Sequence, residues 1–306
     1  MTVAKPQIRA AGNGEMSFNA SLYTVFLCML FGANAVAIKI SLVGLGIFTT
    51  AGIRFSVAAV VILLWALATS RPVRVNARQF RKIGVLGLIF FVQLSLFYVG
   101  LSRTTASHGT LISNILPFIV LILAHFFLEE EHFSTRKLIG LFLGFSGMVI
   151  LLGDTLQLDE ASLHGDLIVL LAVLIWGGNA IYTKRIIKDF QPSQVTFYPV
   201  AISGPLFLIA ALFWDPQMVR HVDSSIVLSM AYQTFVTASF GLIGWTMLIK
   251  EYGATTLHSY IFIMPLSGVF LGIVMLGEPL TVSLAGSIVM VTIGLVVANR
   301  PVRELA

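Results

Sequence analysis

Asn34 and Asn179 are amides set inside long apolar runs, where an unpaired polar group is expensive. Each stands in nearly the same phrase, FGANAVAIK over Phe31–Lys39 and WGGNAIYTK over Trp176–Lys184. An amide offers two donors and an acceptor, so it can hold a carboxylate or an ammonium group without burying a charge. It can equally join neighbouring helices, a contact worth under about 2 kcal/mol in a membrane. Lys39 and Lys184 follow five residues later, roughly 7.5 Å along a helix. Each either snorkels to an interface or sets a cation at the mouth of a cavity. Trp176, Tyr98, Trp245, Tyr182 and Tyr260 offer flat, partly polar walls for a ligand, or packing contacts between helices. Pro117 and Pro265 each remove a backbone donor in mid-run and allow a kink that can act as a hinge. His108 and His258 titrate near neutral pH, which suits proton coupling or an interfacial hydrogen bond.

The elements that must position these residues are membrane helices. The 306-residue chain is 57% hydrophobic and only 11% charged, against roughly a quarter charged in soluble domains. Apolar runs fall near 18–40, 45–69, 80–101, 104–128, 135–153, 163–187, 193–214, 224–250, 254–276 and 280–299. About 20 apolar residues cross a bilayer as helix, and none of the runs shows the strict alternation of a barrel strand. The pattern predicts an all-α integral membrane protein with ten transmembrane helices. Assigning loops to alternating sides leaves Lys39, Arg103 and Arg220 on one side and Arg54 within the second run, with all other lysines and arginines opposite. The positive-inside rule then places both termini in the cytoplasm.

The phrase is one part of a longer repeat. Phe31, Gly32, Asn34 and Lys39 match Trp176, Gly177, Asn179 and Lys184 at a spacing of 145 residues. Further on, Phe97, Ala106 and Pro117 match Trp245, Ala254 and Pro265 at 148, and each proline precedes a glutamate, Glu130 or Glu278, by 13 residues. Five runs per unit is an odd number, so the second unit enters the membrane inverted, as in many secondary transporters with a central site. The boundaries are a cytoplasmic tail over 1–17, a first repeat over 18–153, an external linker over 154–162, a second repeat over 163–300 and a short tail over 301–306.

These residues, with Arg54–Phe55 in the second run, Thr104–Ser107 opening the fourth and LGEPL at Leu276–Leu280, resemble the EamA-type branch of the drug/metabolite transporter superfamily. The resemblance covers residues 18 to 300. It implies ten helices in two inverted five-helix repeats, with helices 1 to 4 and 6 to 9 around the cavity. It also implies export of small polar or amphipathic metabolites, commonly amino acids. The chain departs from the pattern at Phe31, where a tryptophan is usual, and at Glu129–Glu130, where the pair is usually Gly-Glu.

Other classes find less support. No HExxH helix, GxSxG elbow or nucleotide-binding loop is present, so neither a lipid-modifying enzyme nor a nucleotide-driven pump is expected, and no cofactor or metal. No aromatic-interleaved basic patch points to nucleic acid. A carrier of nucleotide sugars or sugar phosphates would want several converging cations, and Arg54 is the single deep arginine. Cys28 alone makes no internal disulfide. Gly140–Gly144 and Gly268–Gly272 offer small-residue surfaces for close helix packing, and for a homodimer. The expected setting is a bacterial inner membrane, the expected partners the lipid bilayer and a small metabolite. The expected substrate is a neutral or aromatic amino acid or an analogue.

Overall fold

The computed structural model describes residues 16–104, 106–129, 131, 134–153, 160–267 and 282–299, without the side chains of 35, 36, 39, 106, 107, 152 and 160–162. Lys39 as a side chain, and Gly268, Gly272 and Glu278 altogether, lie outside the described residues. The described chain is predominantly helical, in the order α1 (Phe18–Gly44), α2 (Ile47–Ala68), α3 (Ala77–Leu101), α4 (Ala106–Ser113), α5 (Leu116–Phe127) and α6 (Thr135–Leu152). There follow α7 (Glu160–Ile186), α8 (Pro192–Trp214), α9 (Ser224–Ala231), a π-helical segment over Tyr232–Gly241, α10 (Leu242–Tyr252), α11 (Ala254–His258) and α12 (Val282–Asn299). Seven spans among the described residues are long and apolar enough to cross a membrane, three of them composites: His108–Phe127, Leu163–Asp189, which ends in a 3₁₀ turn over Ile187–Asp189, and Ser224–Tyr252. Large apolar side chains such as Leu64, Phe126 and Phe213 point outward, more than half exposed. That surface is tolerated by lipid and not by water, so the protein is a multi-pass membrane protein.

Local sequence fixes where the helices begin. Asn76 and Gln79 form a reciprocal capping box at α3, and at α8, where Pro192 fills the first position, the Gln191 amide donates to Gln194 Oε1. These polar groups satisfy amide donors that the first turn of a helix leaves open. Asp223 caps α9 through the Ile226 amide. That bond and one from the Ser225 hydroxyl hold its carboxyl below the ordinary carboxylate range. The fourth run is broken: α4 stops at Ser113, and α5 restarts at Leu116 with Pro117 in its first turn. The missing proline N–H is harmless in a first turn, whereas in mid-helix it forfeits a bond. Pro265, 148 residues on, follows a 3₁₀ segment over Ser259–Phe262. Both prolines thus sit just past a change of helix geometry.

Packing runs between the chain's first half, up to residue 153, and its second, from residue 160. α2 lies against α8, α3 against α7, α1 against α9 and the π segment, α5 against α11, and α6 against α12. In the last pair a Cβ on Gly140 would come within 2.6 Å of the Gly294 carbonyl and the Ala298 amide. The small-residue surface at Gly140–Gly144 is therefore covered by α12 of the same chain. Gly140→Leu is expected to destabilise the protein by about 1–3 kcal/mol through overpacking, read as a lowered melting midpoint in detergent.

Candidate functional site

The two asparagines each bond across the halves. Thr237, on the π segment, donates its hydroxyl to Asn34 Oδ1 on α1 at 2.9 Å. The Asn179 amide on α7 donates to Gln93 Oε1 on α3 at 2.7 Å, and Thr183, one turn further along α7, donates to Asn179 Oδ1 at 3.2 Å. Thr237, Gln93 and Asn179 are buried, while Asn34 is half-buried. Asn34 therefore meets the second half, and Asn179 meets the first.

The other residues of the repeated phrase behave alike. Phe31 meets Trp245 on α10 edge-on, with ring centroids 5.8 Å apart and planes at 81°. Trp176 meets Phe97 on α3 at 6.0 Å and 82°. Gly32 lies against the Met264 carbonyl, and Gly177 against Ile119 of α5, with no room for a Cβ in either place. Edge-to-face pairs add roughly 0.5–1.5 kcal/mol beyond burial. In each copy of the phrase the aromatic, glycine and asparagine dock on the opposite half.

Arg54 on α2 joins the first cluster. Its Nη2 donates to the Thr237 hydroxyl at 3.1 Å, its Cζ stands 4.9 Å from the Phe55 ring centroid, and Tyr98 on α3 is buried in the same cluster as Phe55. Arg54 is 8% exposed. It neither snorkels to a surface nor pairs with a carboxylate among the described residues.

Other expected site residues lie further along the bundle. Tyr182 donates to the Lys82 carbonyl at 3.0 Å, and Tyr260 to Ser21 at 3.0 Å. Ser21 precedes Asn34 by 13 residues, about 20 Å of helix. His258 is buried with Nδ1 2.8 Å from the Ala254 carbonyl and its ring against Trp245. His108 pairs with Asp166 at the opposite end, where Thr104 also donates to that carboxylate. Lys184 is buried and donates to the Ile249 carbonyl at 3.2 Å. A cavity of about 430 Å³ opens beside the exposed Lys82–Asp189 ion pair at the start of α3. Among the described residues no group of three or more histidine, cysteine, aspartate or glutamate side chains is placed to hold a metal.

Two carboxylates tie the halves at their ends. Asp215, after α8, accepts from the Phe48 and Thr49 amides at 3.2 and 2.7 Å and from the Thr49 hydroxyl at 2.8 Å, capping α2. Glu131, beyond α5, accepts from the Ala254 and Thr255 amides, both at 2.8 Å, capping α11. Sequence reasoning singled out neither carboxylate as a tie, nor Gln93 and Thr237 as partners. The signal present was polar residues in apolar company, in FFVQLSLFY around Gln93 and YQTFVTASF around Thr237.

Comparison with known proteins agrees with this architecture. The model of the EamA-like transporter family matches residues 19–153 and again 163–300. An uncharacterized transporter of Bacillus subtilis, YyaM, is 26% identical over 263 residues, covering 83% of this chain and 85% of its own. A probable amino-acid metabolite efflux pump of Salmonella typhimurium is 23% identical over 285 residues, 90% of this chain and 93% of its own. The protein of that name in Escherichia coli is 22% identical, over 90% and 94%. One solved crystal structure superposes with a TM-score of 0.80 at 18% identity, over 92% of this chain and 98% of that one.

Proposed function

The chain belongs to the EamA-like transporter family, and from that premise we propose that it exports small amphipathic metabolites, neutral or aromatic amino acids and their analogues foremost. The transport site lies between two inverted five-helix repeats, 18–153 and 163–300, joined by an external linker over 154–162, with the tails 1–17 and 301–306 cytoplasmic. The observation that carries this reading is the paired docking of Asn34 on Thr237 and Asn179 on Gln93. Two like contacts made in opposite senses across one interface are what a pseudo-twofold carrier needs in order to rock about a central site.

The amides supply donors and acceptors for a zwitterion, and the Phe31–Trp245 and Trp176–Phe97 pairs supply apolar walls on either side. The efflux pumps named among the relatives support the substrate class. A phosphate-bearing substrate is disfavoured, because no second lysine or arginine joins Arg54 in its cluster among the described residues. His108 bonds Asp166 and His258 bonds the Ala254 carbonyl, both contacts away from the asparagine pairs. That favours a carrier driven by the metabolite's own gradient over one whose proton-binding group lies in the site. Pro117, Pro265, Lys39 and Lys184 serve as hinges and mouth charges, and the setting is a bacterial inner membrane.

The test is growth of cells overexpressing the chain against a panel of toxic neutral and aromatic amino-acid analogues, with intracellular analogue measured in parallel. Raised resistance with lowered accumulation for at least one analogue is the expected result. An unchanged profile across the panel would exclude this substrate class.

A further inference from the structure

We propose that Arg54 is the carboxylate anchor of the transport site, binding the acid group of the substrate through the Nε and Nη2 edge of its guanidinium. The proposal deepens the transport reading above and rests on it for the route by which a solute reaches the site.

Three observations combine. Arg54 is a cation in the middle third of an apolar helix, 8% exposed, with no carboxylate facing it among the described residues. Its Nε is buried without a hydrogen-bond partner, while the neighbouring Nη2 is held only by a neutral hydroxyl, that of Thr237. The Thr237 hydroxyl stands between Arg54 and Asn34 and belongs to a π-helical stretch, a helix form that recurs at functional sites.

A purely structural arginine in hydrocarbon is expected to spend its five donors on carbonyls or to share an anion. Leaving the charge with a neutral hydroxyl and an open donor is costly in hydrocarbon. A carboxylate repairs both defects. Its two oxygens accept in parallel from Nε and Nη2, the bidentate arrangement that makes arginine the usual partner of planar anions. Thr237 then releases Nη2 and keeps its one hydroxyl proton between Asn34 Oδ1 and the Gln233 carbonyl. A single guanidinium matches one carboxylate, whereas a dianionic phosphate would ask for more cations.

The test is binding to the purified full chain in lipid nanodiscs, read by the shift in melting midpoint. The probes are matched pairs: phenylalanine and phenylalaninamide, leucine and leucinamide, 3-phenylpropionate and its amide. At least one acid is expected to stabilise the wild-type protein, with its amide binding at least about tenfold more weakly, the scale of a lost charge-assisted contact. R54Q is expected to lose that preference and R54K to retain part of it. Equal binding of acid and amide to the wild type, no binding by any acid, or a preference that survives in R54Q would each overturn the proposal. The comparison on wild-type protein needs no variant, so it holds even where R54Q fails to fold. Carboxylate binding through Arg54 without efflux from cells would leave the anchor standing and remove the export reading.

Discussion

Asn179→Leu is expected to lower the initial rate of export by about a hundredfold, a barrier increase of about 2.7 kcal/mol, while folded protein stays in the membrane. The substitution removes the donor to Gln93 Oε1 and the acceptor for Thr183 in one step. If the amide were only interhelical glue, its loss would be a matter of stability, under about 2 kcal/mol, and the rate per folded molecule would hold. The double variant Asn179→Leu with Gln93→Leu separates the two roles. Replacing both partners of a buried hydrogen bond by apolar groups is nearly neutral for stability, whereas removing one strands the other. A glue residue is therefore rescued by the second substitution, and a substrate ligand is not. Rates are measured in proteoliposomes normalised to monodisperse protein, and recovery of transport in the double variant would assign Asn179 to packing. Asn34→Leu is expected to behave in the same way, since Thr237 holds that amide as Gln93 holds Asn179.

What could be read from the sequence was the part written twice. The aromatic, glycine and asparagine of the repeated phrase stood out because polar and small residues are conspicuous against an apolar background, and all three hold positions at the interface between halves. Their partners were not legible. Gln93 meets Asn179 across 86 residues and Thr237 meets Asn34 across 203, and helical periodicity carries no information about which distant helix faces which. The sequence offered each proline as a kink in mid-helix; in the fold Pro117 stands in a first turn after a break, and Pro265 follows a 3₁₀ segment. Nothing in composition foretold the π segment, which packs against α1 and α2. Arg54 was visible as the one deep arginine, yet its partners were not. The hydroxyl of Thr237 is an unremarkable group until the fold aims it at a charge.

The two carboxylate ties should control which end of the bundle opens. Asp215 belongs to the second half and caps α2 of the first, and Glu131 belongs to the first half and caps α11 of the second. They act at opposite ends. Lys250, at the close of α10 just before Glu131's partners, bonds the Phe190 carbonyl beside the start of α8, and Asp215 stands at the other end of that helix, about 35 Å away. Around Asp215 the seal is reinforced by the Leu45–Val219 bridge and by Arg220, which donates to the Leu42 and Leu45 carbonyls. Rocking of the halves must break one tie while keeping the other. Losing a carboxylate that accepts from amides at a helix start removes about 2–3 kcal/mol from the closed form of that end, close to a hundredfold in population. Thr50 directly follows Thr49 of the Asp215 tie, fully buried and bonded to the Gly46 carbonyl. In a Cys28→Ala background, a cysteine at position 50 should react with a membrane-impermeant maleimide about a hundredfold faster when Asp215→Ala is added. Glu131→Ala, which frees the far end, should slow the same reaction. Equal labelling rates in all three proteins would reduce both carboxylates to ordinary helix caps, whereas opposite changes at one reporter require that the two ends communicate through the rigid halves between them.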